Sequence, residues 1–218
     1  MPTVIAAIKA QLDTATFVYN GSFGNEPAED CAAKLLGMCP DGGELATGRV
    51  MFCNSGSEAN EIALKLARQY HVERGDESRF KVLSRYRSYH GNTLAAAALS
   101  DRPSWTNQFE VYLNRTAFPL SKIDAPNAYR GSGLDPSALE ELILAEQPET
   151  VAAFIMEPVS GTSLAGAAPP AGYVAEIRRI CDKYGVLLIA DEVIMGIGRT
   201  GAPFAMQVLN REQACPAY

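Results

Sequence analysis

No run of about 18 apolar residues occurs in the 218-residue chain, so the sequence offers no candidate membrane-spanning helix. Nor is there a cluster of five or more lysines and arginines. With a net charge of −6 and a pI near 5.0, the chain is a poor partner for nucleic acid or an anionic membrane. Its cysteines (31, 39, 53, 181 and 215) are odd in number and scattered, with no C-x-x-C pair. That pattern argues against a zinc site and for a reducing compartment. The opening MPTVIAAIKAQLD has neither a basic n-region nor a small-residue cleavage site, so no secretion signal is read and a cytoplasmic location is expected. It reads instead as an amphipathic helix with Val4, Ile5, Ile8 and Leu12 on one face.

At 47% hydrophobic and 20% charged residues, the composition is that of a globular chain. One domain of this length buries roughly 70% of its unfolded surface. Helical and strand patterns alternate. Helices are predicted over 27–39, 57–75, 92–100, 135–147 and 171–185. Strands are predicted over 49–54, 80–86, 109–114, 150–157 and 186–193. On helix 57–75, Ala59, Ile62, Ala63, Leu66, Ala67 and Tyr70 fall at helical spacing. Asp135 precedes Pro136 as a helix cap, and Gly185 ends helix 171–185. Residues 114–134, rich in Pro and Gly, form the loosest stretch. This alternation predicts an α/β fold: a mostly parallel sheet flanked by helices.

Four stretches carry candidate chemistry, and all should open on one sheet edge, outside the carboxyl ends of the strands. NSGSEANE (54–61) joins a strand to a helix. Ser55 and Glu58 have capping-box spacing, and Gly56 lets a ligand approach the backbone. The free amides of the first turn, with the helix dipole and the Ser57 hydroxyl, suit an anion; a well-capped helix explains the same residues. SYHGN (88–92) offers an aromatic face at Tyr89, a titratable ring at His90 and a tight turn at Gly91; alone, it reads equally as packing. His71, on helix 57–75, is read as a surface or packing residue. Glu157 and Asp191 each close an apolar strand. A carboxylate behind VLLIA is desolvated and needs a positive partner, which a structural ion pair or a ligand's ring N–H would both provide. Alternation along the strand predicts Asp191 and Val193 on one side and Glu192 on the other. GIGRTG (196–201) matches the dinucleotide-binding spacing but lacks its strand-to-helix context, so NAD chemistry is a weak alternative.

Taken in order, FCNSGSEANEIALKLAR, SYHGNT, FIMEPVSG and LLIADEVIMGIGRTG resemble the class-III (ω-type) aminotransferases of pyridoxal 5′-phosphate (PLP) fold type I, over roughly residues 1–206. The resemblance implies transfer of an amino group from an amine or amino acid to an oxo acid, on PLP, in a homodimer. It implies that Gly56 and Ser57 bind the PLP phosphate. Tyr89 would stack on the ring, with His90 and Gly91 shaping that wall, and Val193 would pack on the other face. Asp191 would pair with the pyridinium nitrogen, and Glu157 would lie on the substrate side. In such enzymes a lysine about thirty residues beyond the Asp holds the cofactor as a Schiff base. Here Lys9, Lys34, Lys65, Lys81, Lys122 and Lys183 all precede Asp191. Residues 1–206 are therefore expected to be a partial PLP-binding large domain and 207–218 a divergent tail, without the small C-terminal domain. Two functions stay open: a transaminase by family, and a non-catalytic partner or regulatory module that pairs with a longer aminotransferase.

Overall fold

Two units, Met1–Met51 and Phe52–Tyr218, make up the chain in the computed structural model, which describes residues 1–39, 47–113 and 121–209. The first unit holds α1 (Pro2–Thr14), with proline in its first turn, and α2 (Glu26–Gly37). Asn25 caps α2 by accepting the Ala28 N–H at 3.3 Å. The predicted apolar face of α1 forms but buries no residue.

In the second unit, α3 (Gly56–Glu73) starts at a reciprocal cap. Ser55 Oγ accepts the Glu58 N–H at 3.2 Å, and the Glu58 carboxylate accepts the Asn54 N–H at 2.6 Å. The buried stripe is Asn60, Leu64, Ala67 and His71. Leu66 and Tyr70, two of the residues at helical spacing, are half exposed. The apolar spacing and the buried stripe differ by about one residue, because a buried Asn and His carry no apolar signal.

The chain continues through β1 (Lys81–Arg85), α4 (Leu94–Leu99), α5 (Pro103–Thr106) and α6 (Glu110–Leu113). After these come β2 (Lys122–Ile123), α7 (Ser137–Ala145), β3 (Val151–Met156), α8 (Tyr173–Tyr184), β4 (Leu187–Ala190) and α9 (Ala205–Leu209). The strands lie in the order β2-β1-β3-β4, all parallel. All six residues of β3 are buried, as expected of a central parallel strand covered on both faces. Its side chains divide by strand alternation. Phe154 and Met156 join Leu83 and the inner faces of α7 and α8 (Leu139, Ile143, Val174, Ile177) in one cluster. Ala153 and Ile155 join Val82, Leu64, Ala67, Ala95 and Leu99 of α3 and α4 in the other. Helices therefore flank a parallel sheet, as the alternation predicts.

Two predicted strands are corrected. Residues 49–54 pair with none of the four strands, and Met51 and Phe52 are exposed. An extended run becomes a strand only when a neighbour takes its backbone N–H and C=O groups. Residues 109–113 are helical, in a 3₁₀ turn and α6; residue 114 lies outside the described residues. Only Leu113 of that segment is buried, so its β-propensity had no sheet to meet. Of the predicted loose stretch, 121–134 is described and supplies β2, while 114–120 lies outside the described residues; so does most of the expected tail, 210–218. Gly185 ends α8 with φ 64°, and Asp135 accepts the Ser137 N–H at 2.9 Å, as the sequence predicts. Pro136, rather than Asp135, takes the N-cap position. Cys181 is buried, which pushes its thiol up to about 12.

His71 is buried, its Nε2 2.9 Å from the Ala152 carbonyl. Burial holds its pKa below 6.5, against the raising effect of that hydrogen bond. Below pH 6.5 the unfolded chain takes up a proton that the folded chain resists, so stability present above that pH falls. Urea midpoints at pH 7.5 and pH 5.5 should show a loss in the wild type that His71→Phe reduces.

Candidate functional site

One cavity of about 340 Å³ opens at the carboxyl ends of β1, β3 and β4, beside the start of α3. All four singled-out stretches line it: Gly56 and Ser57; Tyr89, His90 and Gly91; Glu157; Asp191 and Val193. Ser55, Asn60, Asn92, Val159 and Ile194 complete the wall.

Asp191 lies at the floor, 8% exposed. Its Oδ2 accepts from His90 Nδ1 at 2.8 Å and Asn60 Nδ2 at 2.9 Å; its Oδ1 accepts the Val193 N–H at 3.2 Å. Burial works to raise its carboxyl pKa, but the three donors outweigh it and hold the group below its ordinary value. A carboxylate only accepts, so the proton of His90 sits on Nδ1. His90 Nε2 is buried and has no partner among the described residues. The ring is fixed from behind: the His90 N–H donates to Ser100 Oγ at 2.8 Å, and Asn60 Nδ2 also donates to the His90 carbonyl at 2.6 Å. His90 thus supplies Asp191 with a buried hydrogen-bond donor.

The chain leaves the sheet earlier than predicted. β4 stops at Ala190, and residues 193–200 form turns. Asp191 and Val193 still face the cavity, while Glu192 turns away, but a turn closed by Asp191 Oδ1 directs them instead of strand alternation. Glu192 accepts the Ala205 and Met206 N–H groups at 2.7 and 2.9 Å, capping α9. GIGRTG lies in this turn region and opens no helix; α9 begins at Ala205.

At the opposite end, Ser57 Oγ donates to Asn92 Oδ1 at 3.1 Å and accepts the Asn92 N–H at 3.1 Å. That pair ties the first turn of α3 to the loop after Tyr89. Two glycines permit the approach. A Cβ on Gly56 would meet both Val193 methyls at 2.9 Å, and one on Gly91 would meet Ser57 Oγ at 2.5 Å.

Glu157 is 4% exposed. Its Oε1 accepts the Tyr89 N–H at 3.0 Å and Ser163 Oγ at 2.8 Å, and its Oε2 accepts the Gly161 N–H at 2.8 Å. The carboxylate clasps the Tyr89 loop to residues 161–163. Arg85, wholly buried, donates through Nη2 to the Glu157 carbonyl. Burial lowers its guanidinium pKa, with Tyr173 and Glu157 working the other way.

The sequence description of the aminotransferase class-III family matches residues 1–213. The chain belongs to the class-III aminotransferase family. It is 36% identical to an uncharacterized aminotransferase of Schizosaccharomyces pombe, covering 94% of this chain and 45% of that protein. It is 38% identical to gamma aminobutyrate transaminase 3, chloroplastic, of Solanum lycopersicum, covering 96% of this chain and 41% of that protein. A solved Bacillus anthracis aminotransferase superposes with a TM-score of 0.86 at 35% identity, covering 97% of this chain and 47% of that one. The chain spans less than half the length of these relatives.

For this class-III chain, sequence reasoning passed over Asn60, Asn92 and Ser163. Asn60 left a usable signal. It is an amide one turn beyond Gly56 and one turn before Leu64 on the same helix face, and a buried amide requires a partner. Asn92 and Ser163 sit in loops, and no periodicity marks them.

Proposed function

We propose that this chain holds PLP and serves a transaminase reaction, moving an amino group from an amine or amino acid to an oxo acid. One observation carries the reading: a single cavity joins a helix N-terminus at one end to a buried, ionised Asp191 at the other. The residues fit the cofactor. The Gly56 and Ser57 amides and the Ser57 hydroxyl suit its phosphate, since α3 leaves its first N–H groups free and its dipole favours an anion. Asp191 Oδ1 takes only the long Val193 contact, which leaves it able to accept a ring N–H. His90 and Asn60 keep that carboxylate ionised and aimed. Tyr89 and Val193 supply the two side walls, and Glu157 fixes the Tyr89 loop from the substrate side. When bound, PLP supplies an electron sink for the substrate carbon that loses its proton, and Asp191 keeps the ring nitrogen protonated for that purpose.

No lysine is among the cavity-lining residues, so the chain alone binds PLP as a reversible ligand. A transaminase homodimer agrees with the family, and a reducing compartment such as the cytoplasm with the cysteine pattern. The α1 face supports the second reading, pairing with a longer aminotransferase: Val4, Ile5, Ile8 and Leu12 are each more than half exposed. Co-sedimentation of the two chains tests it.

The main test is a PLP titration followed by visible circular dichroism, then borohydride treatment and peptide mapping. The expected result is a saturable induced signal with no single lysine labelled. Absence of any PLP signal, or tight NAD binding unaffected by PLP, overturns the proposal. One quantitatively labelled lysine overturns the reversible-ligand part.

A further inference from the structure

Tyr89 is held at its backbone by Glu157 and at its ring from outside the cavity. Trp105 of α5, the one tryptophan in the chain, meets it edge-on, with ring centroids 5.7 Å apart and planes at 85°. The Arg102 guanidinium lies 4.5 Å over the Trp105 ring centroid. Arg102 Nη1 in turn donates to the Thr162 carbonyl at 3.1 Å. Thr162 stands between Gly161 and Ser163, whose N–H and hydroxyl hold the Glu157 carboxylate, and that carboxylate accepts the Tyr89 N–H. The contacts close on themselves. Glu157 anchors the backbone of Tyr89, Trp105 anchors its ring, and the 161–163 loop and Arg102 join the two anchors.

We propose that Trp105 and Arg102 are positioning residues that set the plane of the Tyr89 ring, and thereby one wall of the cofactor cavity; this rests on the reading of that cavity as a PLP site. A phenol rotates readily about its Cα–Cβ and Cβ–Cγ bonds unless a neighbour fills the space beside it. Edge-to-face contact is a preferred aromatic geometry, so Trp105 selects one ring plane. Arg102 holds the indole by its face, and because its own head is tied to Thr162, the clamp is referenced to the Glu157 loop. Trp105 is itself half exposed and does not line the cavity, so it acts through Tyr89.

The single tryptophan makes the brace directly readable in the full chain. Without ligand, Tyr89→Ala and Arg102→Ala are each expected to red-shift Trp105 emission and increase its quenching by acrylamide. With PLP, Trp105→Ala is expected to weaken affinity about three- to tenfold and reduce the induced circular dichroism, while Trp105→Phe, which keeps an aromatic edge, restores both. Far-ultraviolet circular dichroism and the urea midpoint identify a variant that fails to fold, in which case Arg102→Ala carries the affinity measurement. Unchanged Trp105 emission in both ligand-free variants shows that the brace does not exist. Wild-type PLP affinity and dichroism in Trp105→Ala show that it sets nothing. Failure of the wild-type chain to bind PLP overturns the cofactor reading and the positioning role together, and the ligand-free emission then separately decides whether the clamp is present.

Discussion

Asp191→Ala is expected to lower stability by about 3 kcal/mol and to abolish measurable PLP binding. The stability loss comes from the donors left behind. His90 Nδ1 and Asn60 Nδ2 both point at Oδ2, and both lie in buried residues. A buried donor stripped of its acceptor costs about 1–3 kcal/mol. Two such donors, less what a penetrating water recovers, give the figure. The effect has a pH signature. Asp191 is held below its ordinary carboxyl value of 3.8, so its contribution is present above that pH and is lost as pH falls through the folded value. The difference in urea midpoint between wild type and variant should therefore be constant near neutrality and shrink on acidification. Asp191→Asn separates the two roles. An amide oxygen still accepts from His90, so the stability loss should fall to about 1 kcal/mol. A neutral amide no longer favours a protonated ring nitrogen, so PLP affinity should fall as it does for the alanine variant. Wild-type PLP affinity in Asp191→Asn would remove Asp191 from the ring nitrogen and leave it a structural acceptor.

The residues that line the cavity were more legible in the sequence than its surroundings, and the reason is physical. Gly56, Gly91, Glu157 and Asp191 each end or interrupt an apolar or periodic segment, so each stands out locally. The parallel sheet was equally plain, because VAAFIM and VLLIA are continuous apolar runs bounded by turn residues. Three other features depended on long-range partners. Residues 49–54 have strand composition, but strand identity requires a neighbour. Residues 109–113 are aromatic and β-branched yet curl into helix, where local hydrogen bonds satisfy the backbone without a sheet. Asn60 and His71 sit on the buried side of α3 for reasons set 131 and 81 residues away, at Asp191 and Ala152. Likewise, the pairing of His90 with Asp191 spans 101 residues, so the donor that answers the buried acid could not be read from either local stretch.

Gly91→Ala is expected to cost about 3 kcal/mol or more, and to weaken PLP binding more than tenfold. Two effects add. Gly91 has φ 131°, which an L side chain rarely adopts; such strain costs about 1–3 kcal/mol. The new methyl would also lie 2.5 Å from Ser57 Oγ and 3.0 Å from both Ser57 Cα and Ala96 Cβ. Overpacking of that kind costs about 1–3 kcal/mol. The Ser57 hydroxyl alone could rotate away, at the expense of its two bonds to Asn92. The Ser57 Cα is backbone in the first turn of α3, so relief there requires moving the helix start against the Gly91 loop. That displacement spoils the anion end of the cavity directly. Gly75→Ala supplies the contrast. Gly75 follows α3 with φ 84°, but a Cβ there meets nothing within 4 Å. It should therefore show backbone strain alone, about 1 kcal/mol, with PLP affinity unchanged. Urea midpoints and PLP titrations on both variants separate strain from collision. Equal stability losses in the two would show that the Gly91–Ser57 contact is not tight, and unchanged PLP affinity in Gly91→Ala would remove Ser57 from the phosphate end.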